Sequence, residues 1–342
     1  MKKIFVKVLF CLFIIAGLCS CGNKAKIDEN GFFYDLDDAK KVAEKNDKNI
    51  LLLLTSEGDD FASEDFLNNV VKTQEFTDTV AKDNVVVLFD FSQKSFEKTV
   101  VNPEATKKEQ KAAEEYGVQM QKNFTFVNKL NIQVTPSIFY LTKEGYCIDQ
   151  IRYYDGMTDA SVLQSMIVTL GQDALELRTM IDATKTGTNL EKVTAIDNLL
   201  NSINPEYTIL MLDLVEKIPE MDKSNESGLV GKYIVDIAEA KVLDFFINND
   251  AFGAVQCYTS IFDNEYLDAE QKQYVRYMAA YMLLTSGSTE YGVVIKYLQD
   301  AVKINPDGEY TPMIQEFLNY VIQTIESFET TQQDSNEMPT LQ

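Results

Sequence analysis

Two runs constrain any fold of this chain: Ile50-Leu51-Leu52-Leu53-Leu54 and Val85-Val86-Val87-Leu88-Phe89, each apolar at every position. A strand with one wet face alternates apolar and polar residues, whereas a strand covered on both faces does not. Between the runs, Phe66, Leu67, Val70 and Val71 recur at the spacing of one buried helix face. They predict a helix over 61–71, and 75–81 reads as a second short helix. Upstream, Asp35-Leu36-Asp37-Asp38 opens a helix with acids in its first turn, where they meet the positive end of the dipole. Residues 92–106 are polar and aperiodic and read as a loop. Helical character appears over 107–116 and resumes over 126–130. Val134–Leu141 and Cys147–Tyr154, joined through Glu144-Gly145, read as a β-hairpin, and 161–170 closes the region as a helix.

Three segments of this α/β region resemble a thioredoxin-like domain of the kind found in bacterial envelope proteins. "DLDDAKKVAEKNDKNILLLLT" (35–55) is similar to that family's opening helix and central strand. "FLNNVVKTQEF" (66–76) is similar to the helix after the redox motif, and "VTPSIFYLTKEGYCIDQIRYYDG" (134–156) to its cis-proline loop and hairpin. The resemblance covers 31–170 and implies a cis bond at Thr135-Pro136, although a trans Pro136 simply beginning a strand is also permitted. It also implies a Trp-Cys-x-x-Cys motif just after the first strand. Here Asp59 stands on the Trp position, and Asp60 and Ser63 stand on the two Cys positions.

That departure removes the attacking and resolving thiols of disulfide exchange. A serine hydroxyl needs a neighbouring base to act as nucleophile, and the chain has no His to supply one. Absence of His also excludes Ser-His-Asp catalysis and His-containing zinc sites. Asp59 or Asp60 is expected to cap the following helix; contact with a partner's backbone or cation is the alternative. Glu57, Asp59, Asp60, Glu64 and Asp65 are dense in acid but lack the alternating pattern of a calcium loop. No cofactor, metal site or catalytic residue is expected.

At the N-terminus, MKKIFVK precedes the apolar run Val8–Leu18, about half the length needed to span a bilayer as a helix. Leu18-Cys19-Ser20-Cys21 follows. This resembles a bacterial lipoprotein signal, with 1–20 removed, Cys21 as the lipid-accepting (palmitate-type) residue and 21–30 as a tether; an ordinary signal peptide is the alternative. Loss of 1–20 leaves 28 basic against 53 acidic residues, or −25. Such a body, taken as a whole, disfavours nucleic acid and anionic lipid as partners. Of the five Cys, only Cys147 and Cys257 then remain as thiols, either free or paired with each other.

From about Gly171 the pattern is helical throughout, over 175–184, 190–203, 208–218, 230–248, 251–262, 269–284, 291–304 and 311–328. Helices joined by short turns pack antiparallel, as a bundle or a short solenoid. "LLNSINPEYTIL" (199–210) echoes "AVKINPDGEYTPMI" (301–314). The latter, with Val294, Leu298, Ala301 and Pro306, resembles the end of a tetratricopeptide repeat whose partner helix is 269–284. A helical-hairpin domain over 171–328 and a disordered tail over 329–342 complete the expectation.

The function expected is that of a lipid-anchored protein of the bacterial cell envelope. It has a redox-inactive thioredoxin-like domain and binds or scaffolds an envelope protein or peptide, and whether it is an enzyme stays open at this point, with the vacant Cys positions weighing against it. The alternative is a thiol-disulfide oxidoreductase working through Cys147 and Cys257.

Overall fold

The computed structural model describes residues 26–336 except Glu29 and Asn249. The expected signal peptide and Cys21 lie outside the described residues. Among the described residues, no helix is long and apolar enough to cross a membrane.

By contacts the chain divides into two units: residues up to 183 with 199–210, and 184–198 with 211 onward. In the first, helix α1 (Leu36–Asn46) is capped by Asp35, whose carboxylate accepts the Asp37 and Asp38 amides at 2.8 and 3.3 Å. The sheet contains β1 (Ile50–Thr55), β2 (Val85–Asp90), β3 (Ser137–Leu141) and β4 (Cys147–Ile151) in the order β2-β1-β3-β4. β1 runs parallel to β2 and antiparallel to β3, and the β3–β4 pair is antiparallel.

The consecutive apolar residues of β1 are buried on both faces, as their pattern requires. Leu51 and Leu53 pack with Phe66, Val70 and Phe76; Ile50, Leu52 and Leu54 pack with Leu36, Ala39 and Val127. The first face is covered by α2 (Phe61–Phe66) with its π-helical continuation Leu67–Val71, α3 (Gln74–Phe76) with the π-helical turn Thr77–Ala81, and α6 (Ala160–Thr169). The second is covered by α1 and α5 (Lys107–Lys129).

Two local readings change, and a third feature is added. The expected loop over 92–106 contains a short helix, α4 (Gln93–Glu97), capped by Ser92 through the Ser95 amide at 3.2 Å. The two helical pieces over 107–130 are one continuous α5, nucleated by a reciprocal Thr106–Glu109 capping box. β4 does not keep simple alternation. A register shift beside Tyr140 and Leu141 sends Cys147 to one face of the sheet and Ile151 to the other.

The boundary expected at 170 falls later. In α7 (Gly171–Ala183), Ala174 joins the sheet's core and Arg178 donates to Asn49 Oδ1 at 2.7 Å, which ties the helix to the α/β unit. Tyr207 also packs edge-on against Phe139 of this unit, with ring centroids 6.3 Å apart.

Helix α8 (Asn189–Ser202) leads to a 3₁₀ segment, Pro205–Met211. The single helix expected over 208–218 is instead this segment plus α9 (Leu212–Val215), and α10 (Ile218–Met221) starts anew with Pro219 in its first turn. Proline lacks the amide needed inside a helix but suits its first turn. The second unit continues with α11 (Val230–Ile247), α12 (Ala251–Thr259), α13 (Ala269–Thr285), α14 (Tyr291–Ile304) and α15 (Thr311–Asn336), and successive helices pack pairwise. Val294, Leu298 and Ala301 are fully buried in a cluster with Ala280 of α13. Buried Gln273 donates to the carbonyls of Ala301 and Asn305 and to the Thr311 hydroxyl, joining α13 to the α14–α15 turn. The tail boundary expected at 329 is not a helix end, since α15 runs on to Asn336; 337–342 lie outside the described residues.

Candidate functional site

The candidate site forms where β1 gives way to α2. Ser56 leaves the strand, Gly58 turns the chain at φ +83°, a conformation glycine adopts without strain, and Asp60 caps the helix. Asp60 Oδ1 accepts the Ser63 amide at 2.6 Å, and the Ser63 hydroxyl accepts the Ser56 amide at 3.0 Å. Ser63 is completely buried. The two residues on the expected cysteine positions thus hold the first turn of α2 together with polar bonds.

The second side of the site is the loop before β3. The Thr135-Pro136 peptide is cis, and the Ser137 hydroxyl closes the loop onto the Val134 carbonyl at 2.8 Å. Thr135 Oγ1 donates to Asp60 Oδ2 at 2.8 Å and lies 3.3 Å from Ser56 Oγ. Asp60 is therefore a clamp: one carboxylate oxygen holds the helix start and the other holds the proline loop. Burial pushes its pKa upward, but hydrogen bonds from Ser63, Thr135 and the Ala62 amide outweigh that, and the carboxyl is held below its ordinary value. Around this clamp the apolar side chains face solvent, with Phe61 84% and Val134 68% exposed.

Three other acids of the stretch have separate partners. Glu57 pairs with Lys72, Asp59 accepts the Gln93 amide at 2.6 Å, and Asp65 accepts from Asn69 at 2.6 Å and from the Tyr153 hydroxyl at 3.3 Å. No group of three or more His, Cys, Asp or Glu able to hold a metal ion occurs among the described residues. One organiser escaped the sequence reading. Asp90, at the end of β2, accepts the amides of Glu57 and Ser92, each at 3.1 Å, and the hydroxyls of Ser92 and Ser95 at 2.8 and 2.6 Å. Its signal was the Asp-x-Ser-x-x-Ser spacing, an Asx turn running into a serine cap.

Cys147 and Cys257 are both free thiols. Cys147 is buried in the cluster on the opposite face of the sheet from α2, beside Leu141 and Tyr207. Burial, assisted by Asp149, drives its thiol pKa far up, so it is un-ionised at neutral pH. Cys257 is half-buried on α12, hydrogen-bonded to the Gly253 carbonyl, and burial raises its pKa as well.

Residues 36–170 match a family model described as a thioredoxin-like domain, and 229–329 match one described as an uncharacterised protein C-terminal domain. An uncharacterised protein of Treponema pallidum (strain Nichols) is 25% identical over 132 residues, 39% of this chain and 44% of the relative. The match thus spans less than half of the relative's length. A solved structure, DsbH oxidoreductase, shares 14% identity, with 44% of this chain and 92% of that one covered and a TM-score of 0.32. Taken with the mixed sheet and the cis proline beside the helix start, the family match makes residues 36–170 a thioredoxin-like domain, followed by an all-helical region.

Proposed function

We propose that this chain is a lipid-anchored bacterial envelope protein whose thioredoxin-like domain binds a protein or peptide and carries out no thiol-disulfide exchange. One observation carries the reading: Asp60 and Ser63 occupy the places where exchange would need two thiols, the Ser63 amide is hydrogen-bonded to Asp60, and Asp60 also accepts from Thr135. Exchange begins with a thiolate attacking sulfur through a mixed disulfide. A carboxylate and a hydroxyl, having no sulfur, form no such bond. Cys147 offers no substitute, being buried and un-ionised on the far face of the sheet.

The rim offers apolar contact instead. Phe61 and Val134 project beside a loop whose Thr135 and Ser137 hydroxyls are already hydrogen-bonded, which suits recognition without covalent chemistry. The anchor rests on the Leu18-Cys19-Ser20-Cys21 sequence, and the envelope location on the same stretch.

Three measurements test this. The mature chain should not reduce insulin with dithiothreitol as electron donor, and cysteine-dependent turnover by the wild type would overturn the reading. Metabolic labelling with a palmitate analogue should tag the wild type and not Cys21→Ser. A photo-crosslinker placed at Phe61 in native envelopes should trap a discrete protein adduct that the same group at Val168 does not; equal trapping at both positions would refute a binding rim.

A further inference from the structure

Residues 91–130 stand apart from the rest of the chain in charge. They hold seven Lys against five Glu and no Asp, whereas the whole chain carries 31 basic and 53 acidic residues. The same stretch exposes apolar side chains: Val100 is 70% and Val118 72% accessible. The residues next to them meet across the α4–α5 excursion, where a methyl added at Gly117 would lie 3.6 Å from the Thr99 side chain. On α5, Lys107, Lys111, Val118 and Lys122 are separated by four, seven and four residues, so they fall on one helix face. Glu114 and Glu115 border it; Lys111 lies 3.5 Å from Glu115, and Lys122 pairs with Asp37. Lys107 makes no ion pair among the described residues, and Lys98 lies 5.8 Å from the centroid of the Tyr116 ring.

The described chain also begins here. Lys26 Nζ donates to Gln119 Oε1 of α5 at 2.6 Å, one residue from Val118, and to Asp35 at 2.9 Å. Cys21 precedes Lys26 by five residues, a reach of at most about 18 Å when fully extended. An anchor at Cys21 therefore holds the α4–α5 excursion close to the bilayer. Exposed apolar tips among lysines are what such a surface requires, since the tips enter the acyl boundary and the ammonium groups sit at anionic headgroups.

We propose that the face formed by Val100, Val118 and the α5 lysines rests on an anionic lipid surface when the chain is anchored at Cys21. This rests on the reading that Cys21 is lipidated, so the test supplies the anchor chemically and lets the two ideas fail separately. The chain contains no Trp, so a single introduced Trp is a clean reporter. The mature chain from Cys21, carrying Cys257→Ala, is coupled through Cys21 to a maleimide phospholipid in phosphatidylcholine–phosphatidylglycerol vesicles, with or without brominated acyl chains. Val100→Trp and Val118→Trp should lose most of their emission to the bromines. Val168→Trp, on α6 across the sheet, should keep its emission. Adding Lys107→Glu and Lys111→Glu to Val118→Trp should restore emission in these anionic vesicles. Equal emission from all three reporters with and without bromine, or equal quenching of all three, overturns the proposal. The palmitate label decides the lipidation reading independently.

Discussion

Removing the Asp60 carboxylate is the sharpest test of the site. In Asp60→Ala the α2 amide at Ser63 loses its cap and the Thr135 hydroxyl loses its charged acceptor, while the backbone is unchanged. Loss of an N-cap costs about 0.5–2 kcal/mol, and a hydrogen bond to a charged group contributes about 1.5–3 kcal/mol. Asp60 is partly exposed and water replaces some of both, so a total near 2 kcal/mol is expected. Native-state hydrogen exchange of the Leu51–Leu54 amides reads the sheet unit without interference from the helical region. Thr135→Val closes a double-mutant cycle, whose coupling should be about 1 kcal/mol if the cross-loop bond is real. Asp60→Asn adds the pH dimension, because it keeps an acceptor and loses the charge. Asp60's folded pKa lies below its unfolded value. The stabilisation is therefore complete above the unfolded pKa and is lost as pH falls through the folded one. The gap between wild type and Asp60→Asn should close in acid. An Asp60→Ala cost below about 0.3 kcal/mol, too small for a lost cap, or a cycle with no coupling, refutes the clamp.

Cys147 should resist Ellman's reagent until the chain unfolds, while Cys257 reacts more readily in the native state; equal rates would contradict the burial of Cys147. Phe66→Ala empties a fully buried site against Tyr153 and should cost about 3–5 kcal/mol by urea denaturation, and a cost under about 1 kcal/mol would refute tight packing there. Gln273→Leu removes three hydrogen bonds between α13 and the α14–α15 turn. It should destabilise by about 1–3 kcal/mol and raise exchange in Thr311–Ser327 selectively; unchanged exchange there would refute the pin.

What was legible in the sequence follows from periodicity and local chemistry. The doubly covered strands, the β-hairpin and most helices of the second unit announce themselves through residue patterns that burial enforces. The Asp60 cap was legible for the same reason, since an acid before a helical run has few other tasks. Its second bond was not. Thr135 lies 75 residues away, and no local pattern encodes which hydroxyl a folded loop will deliver. The bulge in β4 escaped because a register shift depends on the partner strand as much as on the strand itself. The domain edge moved past 170 because Arg178 and Ala174 reach back to the sheet, whereas composition changes at Gly171.

The replacements at 60 and 63 are mutually consistent, and that consistency bears on recognition. A helix start without cysteine still needs an acceptor for its first amides, and Asp60 supplies it. The buried Ser63 hydroxyl needs a donor, and the Ser56 amide supplies that. With these groups and Thr135 committed inward, an approaching partner meets Phe61 and Val134. Crosslinking from the Val134 position in native envelopes should therefore fall sharply in Phe61→Ser and survive in Asp60→Asn, which keeps the helix acceptor. Loss of the adduct in Asp60→Asn with retention in Phe61→Ser would assign recognition to the carboxylate and overturn this division between an inward polar clamp and an outward apolar rim.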